Sequence, residues 1–149
     1  MVIRVFHTFN EELKSFWLEL ESRTTPYIFQ RYHWLSHWQE TIGNESPRTE
    51  PIVILLEDSD GPHALLPFGF QKRHGVRVLS FLGGDQSDYH CPVATEQGKE
   101  RLQRPDSWGE IFENLPKYDV LHISKIPESV LADRLMPLKG ARCMLFNYA

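Results

Sequence analysis

Between Asp85 and Cys91 the chain reads Asp-Gln-Ser-Asp-Tyr-His-Cys, which sets two carboxylates, a hydroxyl, a phenol, an imidazole and a thiol side by side. A thiolate next to an imidazole is the usual activated nucleophile, so His90 and Cys91 invite that reading first. Adjacent side chains on an extended loop point apart, however, and groups that act together usually come from separate elements. Cys91 is therefore read as a partly buried structural cysteine. Asp85, Asp88 and His90 could supply part of a metal shell, but zinc takes about four ligands, so no metal site is assigned. Asp88 is the one catalytic candidate: it could accept a proton from an amine if an acyl donor were brought alongside. The competing role for Asp88 is to brace the loop through backbone N–H groups. Taken together, Asp85, Ser87, Asp88, Tyr89 and His90 offer a polar, aromatic surface suited to hydroxyls, amides or an amine, and substrate binding is the expectation.

Two further binding candidates, Tyr32 and Trp34, lie on a helix predicted over Gln30 to Ile42, where Leu35, Trp38 and Ile42 share a face and Gly43 with Asn44 supplies the stop. Aromatic residues at helical spacing are usually buried packing, so both roles stay open for them. His33 and His37 have the i, i+4 spacing of a zinc-binding helix, yet Trp34 stands where a metalloprotease helix carries its glutamate. They read as exposed.

The elements that must position these residues follow from periodicity. Val2 to Phe6 reads as a strand, and Asn10 with Glu11 and Glu12 as the cap and acidic first turn of a helix carrying Leu13, Phe16, Trp17 and Leu20. Strands are predicted over Pro51 to Glu57, Ala64 to Lys72 and Val76 to Leu82, joined by short Gly-bearing links that make antiparallel hairpins, and the result reads as a meander without parallel pairing. Pro67 removes a ladder donor from the second strand, which predicts a bulge or an exposed edge there. Ala94 to Asp106 reads as loop. A short helix over Trp108 to Leu115, a strand over Tyr118 to Ile123, a helix over Pro127 to Leu135 and a last strand over Arg142 to Phe146 complete the chain. The order is β-α-α-β-β-β-α-β-α, with an optional final β, in a single domain over residues 1–149.

Composition narrows the function classes. Twenty acidic against 16 basic residues, a formal charge of −4, give no footprint for nucleic acid, which needs clustered positive charge. The one basic cluster, Lys72, Arg73, His74 and Arg77, straddles a tight turn and reads as a solvated hairpin tip. Two cysteines, Cys91 and Cys143, outside any Cys-x-x-Cys spacing, suggest neither a zinc ribbon nor a disulfide framework and fit a reducing cytoplasm. Nothing in the sequence reads as a signal peptide or a membrane span.

The element order, together with Phe29-Gln30, Trp34-Leu35, Trp38, Leu65-Leu66-Pro67-Phe68, Val78-Leu79-Ser80-Phe81-Leu82-Gly83 and Ser87-Asp88-Tyr89, resembles the GNAT (acyl-CoA N-acyltransferase) superfamily and, within it, the CelD-like acetyltransferases of cellulose and exopolysaccharide synthesis. Family members are built as two GNAT-like halves, and the resemblance places this chain on the N-terminal half. It implies a mixed, mainly antiparallel sheet flanked by helices, a sugar or amine acceptor, and acetyl-CoA held by a partner half, either more chain or a second protein. An acyl-CoA site of this superfamily uses Gln or Arg, two residues, Gly, one residue, and Gly or Ala, so that backbone N–H groups at a helix start approach the pyrophosphate.

None of the nine glycines has Gln or Arg three positions before it. The loop that should receive the pyrophosphate, after the strand ending near Leu82, carries Asp85 and Asp88 instead, and carboxylates there repel it. Neither Gly-x-Gly-x-x-Gly nor Gly-x4-Gly-Lys-Ser/Thr can be assembled either. No cofactor-binding residue is therefore assigned, and the chain alone is expected not to acetylate. The sequence supports two readings: an acceptor-side or structural half that pairs with an acyl-CoA-binding half or self-associates as a dimer, and a non-catalytic protein-interaction module with a degenerate acyltransferase fold.

Overall fold

The computed structural model describes residues 1–136. It opens with strand β1 (Val2–Phe6) and helix α1 (Glu11–Ser22). Helix α1 starts where the sequence predicts because Asn10 Oδ1 accepts the Leu13 main-chain N–H at 2.8 Å and two acids sit in the positive first turn. A 3-10 turn (Ile28–Gln30) then leads into α2 (Tyr32–Trp38), which ends in a π-helical turn over Gln39–Gly43. The single helix expected over Gln30 to Ile42 is thus three pieces. Arg31 is extended at φ −79 and ψ 146, which separates the first turn from α2. At the other end the buried Gln39 side chain donates to the Thr49 carbonyl at 2.8 Å, tying the π turn to the sheet.

Strands β2 (Thr49–Asp58), β3 (Gly61–Arg73) and β4 (Val76–Phe81) form an antiparallel meander, and β1 adds to the free side of β2. The two-residue β5 (Val93–Ala94) pairs with β3 at Leu65 and Ala64. Helices α3 (Glu96–Gln103) and α4 (Ser107–Glu113) follow, then β6 (Val120–His122) and α5 (Glu128–Ala132). The sheet order is β1-β2-β3-β4-β6, with β5 beside β3. The fold is mixed α/β, a mainly antiparallel six-stranded sheet flanked by helices, as the sequence led us to expect. Two details differ. β6 runs parallel to β4, so the sheet is not a pure meander, and the stretch read as loop from Ala94 to Asp106 contains α3. The strand expected over Arg142 to Phe146, with Cys143, lies outside the described residues.

Pro67 is neither at an edge nor in a bulge. β3 lies inside the sheet, and its register with β2 shifts between Leu56 and Glu57 instead. The Pro67 carbonyl accepts the Leu82 N–H at 2.8 Å, so the side of the Pro67 backbone that lacks a donor faces the seam where β4 ends and β5 begins. In an antiparallel strand the N–H and C=O of one residue point the same way, and no ladder bond to β2 is lost.

Because side chains alternate across a strand, the continuous apolar run of β2 serves two cores at once. Ile52, Ile54 and Leu56 join Ala64, Leu66 and Phe68 beneath Leu102 of α3, Trp108 and Ile111 of α4 and Val130 of α5. Val53 and Leu55 face the other way, with Leu65, against Leu13, Trp17 and Leu20 of α1 and Leu35 and Trp38 of α2. Among the described residues no helix is long and apolar enough to cross a membrane.

Helix α3 touches the sheet closely enough to need glycine. A Cβ built on Gly98 would lie 2.0 Å from the His63 carbonyl oxygen. Gly98→Ala should thus lower stability by about 2 kcal/mol through overpacking, against the gain of about 1 kcal/mol that the same change brings in an open helix. Thermal denaturation followed by circular dichroism checks the sign: a melting temperature at or above that of the parent would show that α3 does not press on β3 in solution.

Candidate functional site

Strands β4 and β6 run in the same direction, so their carboxyl ends open on one end of the sheet, the place where loops of mixed sheets gather ligands. Two loops meet there, residues 82–92 and residues 123–127. Gly83, at φ +100, turns the chain out of β4, and a Cβ on it would lie 2.1 Å from Ser87 Oγ. Glycine is required at that position because Ser87 folds back beneath it and is fully buried. The Ser87 hydroxyl then accepts the indole N–H of Trp34 at 3.3 Å, while Gln86 Oε1 accepts that of Trp38 at 3.0 Å. Helix α2, whose first N–H is capped by Glu21 of α1 at 2.6 Å, thereby fixes the loop from one side.

Lys125 fixes it from the other. Its ammonium donates to the carbonyls of Ser87 at 2.9 Å and Asp85 at 3.2 Å, and lies 3.9 Å from the Asp85 carboxylate. Its own carbonyl accepts the His90 N–H at 2.9 Å. The loop therefore turns carbonyl oxygens toward its anchor. An anion needs the opposite polarity, a cradle of N–H groups.

His90 is buried, stacked on Phe81 with centroids 6.0 Å apart, and its Nδ1 lies 3.1 Å from the Ser124 carbonyl. A carbonyl can only accept, so Nδ1 carries the proton, and Nε2 has no hydrogen-bond partner among the described residues. Burial lowers the His90 pKa below the ordinary histidine value, with the Ser124 and Gly84 carbonyls pulling the other way. Cys91 is buried as expected, and burial pushes its thiol up to about 12, so it is not a thiolate at neutral pH.

The other predicted site residues divide into two groups. Asp85, Asp88 and Tyr89 are exposed on the loop. Tyr89 packs on Tyr27 at 4.8 Å and near Phe29 at 6.3 Å, and Phe29 meets Trp34 edge-on at 5.2 Å, which makes one continuous aromatic surface. Buried Gln30 anchors it by donating to the Tyr89 carbonyl, and its own carbonyl accepts the Trp17 indole N–H at 3.0 Å. Tyr32 is separated from this surface: it is buried against Phe9 and Trp17, at 5.8 and 5.7 Å, and belongs to the core. Tyr27 and Phe29 are not among the binding candidates the sequence offers; Phe29 enters there only through the family resemblance, and Tyr27 only through an aromatic-rich approach to α2 after Pro26.

A second constellation also escaped sequence reading. Buried His63 places Nε2 2.7 Å from Asp58 and Nδ1 3.5 Å from the Thr95 hydroxyl. The residue types are those of a hydrolytic triad, but the Thr95 oxygen is occupied, accepting the Gly98 N–H at 3.2 Å and donating to the His63 carbonyl at 3.2 Å. It caps α3 and pins it to the β2–β3 hairpin.

No protein-family model, curated protein or solved structure matches this chain.

Two outcomes follow from the buried pair His90 and Cys91. A folded pKa below the ordinary value means that the unfolded chain binds the His90 proton first on acidification. The stability His90 contributes is thus complete above about pH 6.5 and is lost as pH falls through its lowered folded value. Urea midpoints measured from pH 7.5 down to 5 should fall less steeply in His90→Gln than in the parent, and equal slopes would contradict the assignment. Under the same native conditions iodoacetamide should leave Cys91 unmodified by peptide mass mapping until denaturant is added.

Proposed function

We propose that this domain is the acceptor-side half of a GNAT-type, CelD-like acetyltransferase, holding a sugar or amine while a partner half holds acetyl-CoA. The observation that carries this reading is the polarity of the loop after β4. Where a coenzyme diphosphate would need main-chain N–H groups, the loop directs the Asp85 and Ser87 carbonyls onto Lys125 and leaves the Asp85 carboxylate in solvent. At the start of α3 the Gly98 N–H is already taken by Thr95.

Acceptor recognition rests on the Tyr27, Phe29, Trp34 and Tyr89 surface and the exposed carboxylates of Asp85 and Asp88 beside it. Aromatic faces suit the apolar face of a sugar ring, and carboxylates accept from several hydroxyl or ammonium donors at once. Asp88 takes the proton of an acceptor amine once a donor half is alongside. The partner is a second GNAT-like half or a second copy of this chain, and the setting is the cytoplasm. The second reading, a protein-interaction module of degenerate acyltransferase fold, draws on the same exposure: Tyr27 and Tyr89 are 41% and 43% open to water.

Calorimetry with acetyl-CoA should give no saturable heat for this chain alone. Saturation-transfer NMR with amino-sugar oligomers should show contact that Tyr89→Ala weakens about fivefold, the size of one aromatic contact of roughly 1 kcal/mol. Stoichiometric acetyl-CoA binding would overturn the half-enzyme reading, and sugar-independent capture of one protein partner through Tyr27 and Tyr89 would favour the interaction module.

A further inference from the structure

The outer face of α2 carries a groove of about 580 Å³, within the range of roughly 300–1,000 Å³ that small-molecule sites occupy. Its floor is apolar. Ile28 and Ile42 lie open to water at 59% and 43% exposure, and Trp34 and Trp38 also line it. Neither indole is free to swing in and close the groove, because each N–H is held by the neighbouring loop, one on Ser87 and the other on Gln86. The cavity is therefore preformed, which removes an ordering cost from binding.

The lip carries one guanidinium. Arg31 is exposed there, and His33 and His37 stand one helical turn apart on the same face, so these three side chains can each offer an N–H donor to a ligand head group. The one acid that lines the groove, Glu21, is engaged through Oε1, which accepts the Tyr32 main-chain N–H at 2.6 Å. The one carbonyl oxygen at the edge, Gln86 Oε1, already accepts from Trp38.

From this charge complementarity we propose that the groove binds a small amphipathic carboxylate, its alkyl body along Trp34, Trp38 and Ile42 and its carboxylate forked by Arg31 with the imidazoles beside it. Helix α2 offers about 10 Å of floor, which suits a medium-length chain, and an arginine–carboxylate pair gives both energy and direction. This site shares Trp34 with the saccharide surface but does not rest on that reading.

Decanoate, kept below its micelle concentration, is the probe, with decanol and decyltrimethylammonium as chain-matched controls. Tryptophan fluorescence should report one saturable site for decanoate, with the indole N–H signals of Trp34 and Trp38 shifting in NMR while those of Trp17 and Trp108 stay in place. Arg31→Glu should weaken decanoate about tenfold and leave decyltrimethylammonium no weaker. Ile42→Asp should abolish both, with circular dichroism unchanged in each variant. Equal binding of all three probes, binding unaffected by Arg31→Glu, absence of saturation, or uptake into the Trp17 or Trp108 core would each overturn the assignment, as would occupancy by an apolar acidic peptide alone.

Discussion

The site end of this molecule depends on one ammonium group. Lys125 follows the parallel strand β6 and reaches across to two carbonyls of the loop that follows β4, so its ammonium ties together the loops at the open end of the parallel pair. Hydrogen bonds from a charged donor are roughly twice as strong as neutral ones, and this one is backed by the His90 main-chain bond to the Lys125 carbonyl. On the opposite side two tryptophan N–H groups hold the same loop to α2. The exposed side chains of Asp85, Asp88 and Tyr89 are consequently presented by a backbone fixed on both flanks. A surface that recognises a ligand by shape needs that property.

The anchor in turn relies on the two-sided sheet. β2 and β3 bury alternate residues in different cores, one beneath α1 and α2 and the other beneath α3, α4 and α5. Helix α2 therefore reaches the site from one face while β6 and Lys125 reach it from the edge beyond β4. Pro67 marks the seam: its donor-free side falls where β4 gives way to β5, so the sheet parts there without leaving a ladder bond unmade.

What could be read in advance tracks how local each determinant is. Asn10, the two acids after it and the Leu13, Trp17, Leu20 spacing are contained in one segment, and α1 begins where they say. The β2–β3 and β3–β4 hairpins are equally local. Helix α3 has almost no local signature, since only Leu102 gives it an apolar position; it is held by the Thr95 cap and by the close approach of Gly98 to His63, a contact made 35 residues away in sequence. The parallel pairing of β6 rests on three residues and on a crossover that no local pattern announces. For the candidate site, type and spacing single out the loop residues Asp85, Asp88 and Tyr89, which lie exposed, whereas Tyr32 and Trp34, two positions apart on one helix, cannot be told apart from sequence. The helix turns one toward Trp17 and the other toward Ser87. Tyr27 and Phe29 acquire meaning only from contact with Tyr89, across some 60 residues.

Polarity of the unpaired atoms separates the two surfaces of this chain more firmly than any motif does. Next to Lys125 the main chain directs oxygens inward and the carboxylates of Asp85 and Asp88 face solvent, an arrangement that attracts hydroxyls and cationic amines and repels phosphate. Along α2 the guanidinium of Arg31 and the imidazoles of His33 and His37 stand above a floor of indole and aliphatic carbon, and the Glu21 carboxylate beside them is engaged with the Tyr32 main-chain N–H. Trp34 and Trp38 belong to both, since the indole N–H groups that hold the loop are carried by the same rings that floor the groove. A ligand that shifts those rings must strain the loop bonds, and a ligand on the loop must hold the rings in place. Energetic coupling between the two surfaces can run through that pair of side chains and through Gln86, which lies in the loop and also lines the groove.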